Sequence, residues 1–143
     1  VHQGNGTAAL AQGDDRIFTF SMHGAKNYPY IKPESDRDIP LPDYIEDEPY
    51  LELLESNLSE LLHDFKPEFV FFQSGVDVIA TDKLGRMSLT LEGCKRRDQL
   101  VFESCKALEI PVAVNMGGGY SPNIRDIIEA HANTFRLANF YFS

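Results

Sequence analysis

Residues 69–85 read FVFFQSGVDVIATDKLG. Four apolar residues, Phe69 to Phe72, run through Gln73 and Ser74 into a glycine and then a carboxylate, Asp77. A short apolar run bounded by punctuation predicts a strand buried in a parallel sheet, and open α/β sheets gather their ligand sites just beyond the carboxyl ends of such strands. Asp77 therefore falls where chemistry is expected, although spacing alone equally allows it to cap a turn or the next helix.

A second buried strand is predicted over Ile110–Met116, IPVAVNM, ending in Gly117, Gly118, Gly119 and Tyr120. Three glycines reach backbone conformations closed to other residues and let the chain approach a ligand closely. The run lacks the Lys and Ser or Thr of a P-loop and the spaced glycines of a dinucleotide fingerprint, so phosphate binding is not indicated. Between the two strands, Thr90 can cap a helix from Leu91 to about Leu108 with Cys94, Val101, Cys105 and Leu108 on its apolar face. Lys95, Arg96 and Arg97 read as a solvated face of that helix. Ser121 and Pro122 open a further helix to about Phe135, with Ile124, Ile127, Ile128 and His131 sharing a face.

Upstream, Pro49–Phe65 is the clearest helix, since Leu51, Leu54, Leu58, Leu61, Leu62 and Phe65 fall at three- and four-residue steps. His63 reads as surface. Arg16–Ser21 alternates like a strand and would leave Ser21, Met22 and His23 at its carboxyl end. Asn27–Asp47 carries Pro29, Pro33, Pro40 and Pro42 and must be largely extended loop, with a short edge strand over Arg37–Leu41. Thr7–Gln12 makes a brief helix that Gly13 stops. Strands alternating with helices predict an α/β domain with a mostly parallel sheet.

The 143 residues are 43% hydrophobic, enough for one domain with a sizeable core. A formal net charge of −9 argues against a nucleic-acid backbone or an anionic membrane surface as partner. Cys94 and Cys105 would stand roughly 16 Å apart along one helix, too far for a disulfide, and read as reduced core thiols. No apolar run approaches a membrane span and no leader-like segment opens the chain, so a soluble cytoplasmic protein is expected.

Taken in order, VHQGNGT at residues 1–7, GVDVIATDKLG at 75–85 and GGGY at 117–120 resemble the zinc-dependent histone deacetylase superfamily, and Gln3 and Asn5 look closest to its class IV branch. The resemblance spans essentially the whole chain, but only the C-terminal half of the family's domain. It implies a three-layer α/β/α, arginase/deacetylase-like fold, with residues 1–143 as the C-terminal part of a single domain. One catalytic zinc would be held by His2, Asp77 and an aspartate just before Val1. Tyr120 would be the catalytic hydroxyl donor. A structural potassium would take the Ser21 hydroxyl and the carbonyls of Met22 and His2, and Tyr28, Leu84, Gly118 and Gly119 would line the substrate tunnel. The family's general base is a pair of adjacent histidines located before Val1, and His2, His23, His63 and His131 offer no such pair.

The resemblance also implies an eight-stranded sheet ordered 2-1-3-8-7-4-5-6, of which this chain holds strands 5 to 8. The pair around Val70 and Val114 would then be separated by a gap from the pair around Phe18 and Ile39. The expectation is that the missing half, or another copy, completes the sheet, and that the 143 residues alone bind zinc poorly and are inactive. For the complete protein, the implied activity is removal of an acetyl or other acyl group from an acyl-lysine peptide or an acetylpolyamine. Two alternatives stand beside it: a non-catalytic scaffold on the same fold, and a dimanganese ureohydrolase. The latter needs a second aspartate two residues after Asp77, where Ile79 stands.

Overall fold

The leucine stripe of residues 51–62 organises the packing. Leu51, Leu54, Leu58, Leu61 and Leu62 are each no more than 8% exposed, and each such side chain contributes up to about 1.5–3 kcal/mol on burial. The computed structural model, which describes all residues 1–143, places them on the second of four helices. In chain order the elements are α1 (Asn5–Ala11), β1 (Phe20–Gly24), β2 (Arg37–Leu41), α2 (Asp47–Phe65), β3 (Val70–Gly75), α3 (Leu91–Ala107), β4 (Val112–Gly117) and α4 (Ile124–Phe142).

Local chemistry sets most of these bounds. Asp47 and Glu48 occupy the first turn of α2, where acidic side chains suit the helix dipole. Lys66 closes it with a left-handed φ of 53°, and Pro67 follows. Thr90 caps α3 as its residue type predicts, its hydroxyl accepting the Gly93 amide at 2.9 Å while donating to Asp47 of α2.

The strands form two parallel pairs, β1 with β2 and β3 with β4, with no hydrogen-bonded ladder joining one pair to the other. This is the expected pairing, with the sheet divided rather than rearranged. A single apolar core nonetheless links them: Phe20, Met22 and Ile39 from the first pair and Val70, Phe72 and Val112 from the second all pack on the buried cluster.

Several expectations are corrected. The first strand begins at Phe20, because Asp14–Ile17 is a turn closed by the Ile17 amide on the Asp14 carbonyl. Ser21 and Met22 are therefore inside the strand, paired with Asp38 and Ile39, and not beyond its end. The first helix starts two residues earlier than expected. The last helix runs on to Phe142, since neither Pro nor Gly interrupts it and Phe142 packs edge-on against Phe102 at 6.0 Å. Its isoleucines do not share one buried face: Ile124 and Ile128 are about 60% exposed, while Ile127 meets the core.

Neither central strand is covered on both sides. Phe71 is 78% and Met116 57% exposed, whereas Phe72, which points the other way from β3, packs edge-on against Phe102 of α3 at 5.8 Å. Arg97 lies 4% exposed, not on a solvated face. Cys94 and Cys105 are free thiols buried in α3, as the spacing predicts, and burial pushes the Cys105 thiol up to about 11.

Candidate active site

β3 and β4 end in register, Gly75 opposite Gly117, and the Val76 amide donates to the Gly117 carbonyl at 2.9 Å. Val76 and Val78 are buried on either side of Asp77 and pin the turn that presents it. The Asp77 side chain is itself nearly buried. Glycines let the chain crowd this carboxylate. Gly118 adopts φ +66°, and a Cβ there would stand 2.6 Å from the Asp77 Cγ. A Cβ on Gly85 would stand 2.1 Å from the Asp77 carbonyl oxygen.

His2 approaches from the other sheet half. Its Nε2 lies 3.8 Å from Asp77 Oδ2, and its Nδ1 lies 2.9 Å from the Tyr28 carbonyl oxygen. A carbonyl can only accept, so Nδ1 is the donor to it, and Nε2 is the ring nitrogen that faces the carboxylate. Next to it, Gln3 is buried and donates to the Pro33 carbonyl and to Asp38 Oδ1, which anchors this segment beside β2. No third His, Cys, Asp or Glu joins His2 and Asp77 in a metal-holding group.

The loops that carry the remaining candidates are stitched together by polar side chains. Asp82 Oδ1 accepts the amides of Leu84 and Gly85, and Oδ2 accepts the Tyr120 amide at 2.7 Å. Asn27, buried, donates to the Leu84 carbonyl at 2.9 Å, so the segment before Tyr28 is tied to the loop after Asp77. Tyr28, Leu84 and Tyr120 are themselves 67%, 53% and 53% exposed. The side chains expected to wall a tunnel beside the His2–Asp77 pair are thus more than half exposed in residues 1–143. Two cavities, of about 190 and 150 Å³, lie elsewhere, one lined by α1 and residues 34–36 and the other between α2 and α3.

Ser21 Oγ shares a 3.0 Å hydrogen bond with His23 Nδ1, which also stands 3.6 Å from Asp38. Burial holds the His23 imidazole below its ordinary value, with Asp38 pulling the other way. Gln3, Asn27 and Asp82 hold the site's segments together, and of these Asn27 has no signal in its residue type. Asp82 had a usable signal, an aspartate followed by Leu84-Gly85, which suits an Asx turn.

Fold and site together describe an α/β protein of parallel strands flanked by helices, with its polar groups gathered beyond the strand ends. The solved acetylpolyamine aminohydrolase of Burkholderia pseudomallei shares this fold with a TM-score of 0.80 at 21% identity, over 95% of this chain and 42% of that one. A histone deacetylase homologue complexed with SAHA superposes with a TM-score of 0.77 at 23% identity, over 98% and 39%. The histone deacetylase domain family matches residues 1–135, and the chain belongs to that family. An uncharacterized protein of Picosynechococcus sp. is 44% identical over 138 residues, and histone deacetylase 2 of Arabidopsis thaliana is 27% identical over 131. The chain covers 46% and 34% of those two relatives, so it spans half or less of their length. No helix is long and apolar enough to cross a membrane.

Proposed function

We propose that this chain belongs to a cytoplasmic, zinc-dependent amide hydrolase that removes an acetyl or related acyl group from the amine of lysine or of a polyamine, on the class IV branch suggested by Gln3 and Asn5. The observation that carries the reading is the approach of His2 Nε2 to Asp77 Oδ2 at 3.8 Å with His2 Nδ1 donating to a carbonyl. Nitrogen and oxygen ligands bonded to one zinc at about 2.0–2.2 Å stand within about 4.3 Å of each other, so the pair fits a shared ion. A ligating histidine whose other nitrogen donates to a carbonyl is the usual arrangement around zinc.

Catalytic zinc commonly takes three protein ligands, of which His2 and Asp77 would be two, and the family resemblance implies an aspartate as the third. Bound zinc supplies Lewis-acid polarisation of the acyl carbonyl and acidification of the attacking water. Tyr120 is the hydroxyl donor that stabilises negative charge developing on the acyl oxygen. Gly118 and Gly119 keep the approach to Asp77 free of side chains, and Tyr28 and Leu84 form walls for the amine's alkyl chain. The Ser21 hydroxyl and the carbonyls of Met22 and His2 would hold a structural potassium. The general base lies outside residues 1–143. Further polypeptide of the same domain, or another copy, fills the break between the β1–β2 and β3–β4 pairs, since unpaired strand edges are costly to leave buried.

Ile79, 3% exposed, holds the position where a second metal-binding aspartate would be needed, which disfavours the dimanganese alternative. The test is hydrolysis of an acetyl-lysine peptide and of an acetylpolyamine by the full-length protein, with and without a chelator, beside Tyr120→Phe. Chelation should abolish turnover, and Tyr120→Phe should lose about a hundredfold or more while keeping its zinc. Chelator-insensitive turnover would contradict the zinc reading. Full activity in Tyr120→Phe would remove the donor role.

A further inference from the structure

Arg97 is the one member of the Lys95–Arg97 cluster that turns inward, and its guanidinium lies where three elements meet. Nη1 donates to the Gly75 carbonyl at the end of β3. Nε donates to Asp98 Oδ1 at 2.8 Å, while Nη2 stands 2.7 Å from the same oxygen but out of line for a hydrogen bond. Asp98, with no exposed surface, accepts the Thr134 hydroxyl of α4 through its other oxygen at 2.6 Å. The guanidinium carbon lies 5.7 Å from the centre of the Phe72 ring. A continuous link thus runs from β3 through Arg97 and Asp98 to α4.

A buried ion pair is a weak stabiliser beside apolar side chains of the same volume, and its better-attested contribution is to hold one arrangement against others. What this pair holds is informative. Gly75 is two residues before Asp77, and a Cβ on Gly75 would stand 2.9 Å from Asp77 Oδ1, so the carboxylate folds back over this glycine. A guanidinium hydrogen bond to the Gly75 carbonyl fixes the peptide plane from which the Asp77 turn departs.

We propose that Arg97, oriented by Asp98, is a positioning residue that locks the end of β3 and thereby aims the Asp77 carboxylate at the metal. The proposal rests on the reading of Asp77 as a zinc ligand. Partners outside the ligand set that orient a ligand typically cost 10–100-fold in metal affinity when removed.

The experiment measures zinc affinity of the metal-free full-length protein by competition with a chromogenic chelator, together with its thermal unfolding. The variants are Arg97→Lys, Arg97→Gln, Thr134→Val and Asp77→Ala. Lysine keeps the charge but cannot serve the Gly75 carbonyl and Asp98 with one fork. Arg97→Lys should weaken zinc by about tenfold or more, and Arg97→Gln at least as much. Thr134→Val cuts the link at its far end and should lower the unfolding temperature with zinc affinity near wild type.

Wild-type zinc affinity in Arg97→Lys would overturn the proposal, as would loss of affinity in Thr134→Val that tracks its loss of thermal stability. If both Arg97 variants fail to fold, Asp98→Asn decides by the same readout: weakened zinc supports the role and unchanged zinc overturns it. Asp77→Ala separates the two claims. If it binds zinc as tightly as wild type, the ligand reading fails; if it loses zinc while Arg97→Lys keeps it, only the positioning role fails.

Discussion

Asp82 holds Tyr120: one carboxylate oxygen accepts the Tyr120 amide at 2.7 Å, and the other accepts the amides of Leu84 and Gly85 at 2.8 Å. The loop after β3 and the loop after β4 are thereby fastened to each other, and the only hydrogen bond Tyr120 makes to another residue's side chain is through its backbone. The Tyr120 ring is left free to turn toward a substrate, while its attachment point is fixed.

Replacing Asp82 by alanine therefore removes three hydrogen bonds at once and frees the Tyr120 loop. Turnover should fall by about a hundredfold, the scale expected when a positioned group shifts by an ångström, while zinc content stays at the wild-type level. Steady-state kinetics with metal analysis checks this. Turnover close to wild type would show that Tyr120 is positioned by other means.

Gly118→Ala tests the crowding around the carboxylate. The new Cβ would meet Asp77 Cγ at 2.6 Å in a backbone held at φ +66°, a conformation that costs a non-glycine residue about 1–2 kcal/mol. Either the glycine loop or Asp77 must move, so zinc affinity and turnover should fall together. Chelator competition and activity assays measured on the same preparation should show both losses.

Burial sets the pH response of stability. The His131 imidazole is held below its ordinary value first by burial and then by the nearby Arg97 charge, with Asp98 opposing. Burial likewise lowers His23. The unfolded chain then binds these protons more readily than the folded one, so stability is full above the ordinary histidine pKa of about 6.5 and declines as pH falls below it. Urea unfolding of the full-length protein at pH 7.5 and 5.5 should show the decline, and His131→Gln should reduce it.

How much of this was legible depends on where the determining chemistry lies. The bounds of β2 at Arg37–Leu41 and the start of α3 follow from local signals, since Thr90 supplies its own cap. The strand pairing is long-range, and only the resemblance to the deacetylase family indicates it. Arg97 was not legible, because three successive basic residues on a helix look alike in sequence although each step turns the helix by about 100°. The exposure of Phe71 and Met116 was illegible for a related reason: an apolar strand predicts burial, and whether a layer covers each face depends on chain that is not local to the strand. His2 and Asp77 lie far apart in sequence, and the loops beside them are held by Asn27, whose residue type carries no distinctive signal, and by Gln3, which the resemblance singles out without indicating its bonds to Pro33 and Asp38.

The central claim is that His2 and Asp77 share one zinc ion that drives deacylation. Zinc per chain, measured by elemental analysis of the full-length protein beside Asp77→Ala, with deacylation of an acetyl-lysine peptide assayed on the same samples, tests it most directly. One zinc per wild-type chain, with both zinc and activity lost in Asp77→Ala, is the predicted result; an Asp77→Ala protein that keeps one zinc per chain and its activity would contradict it.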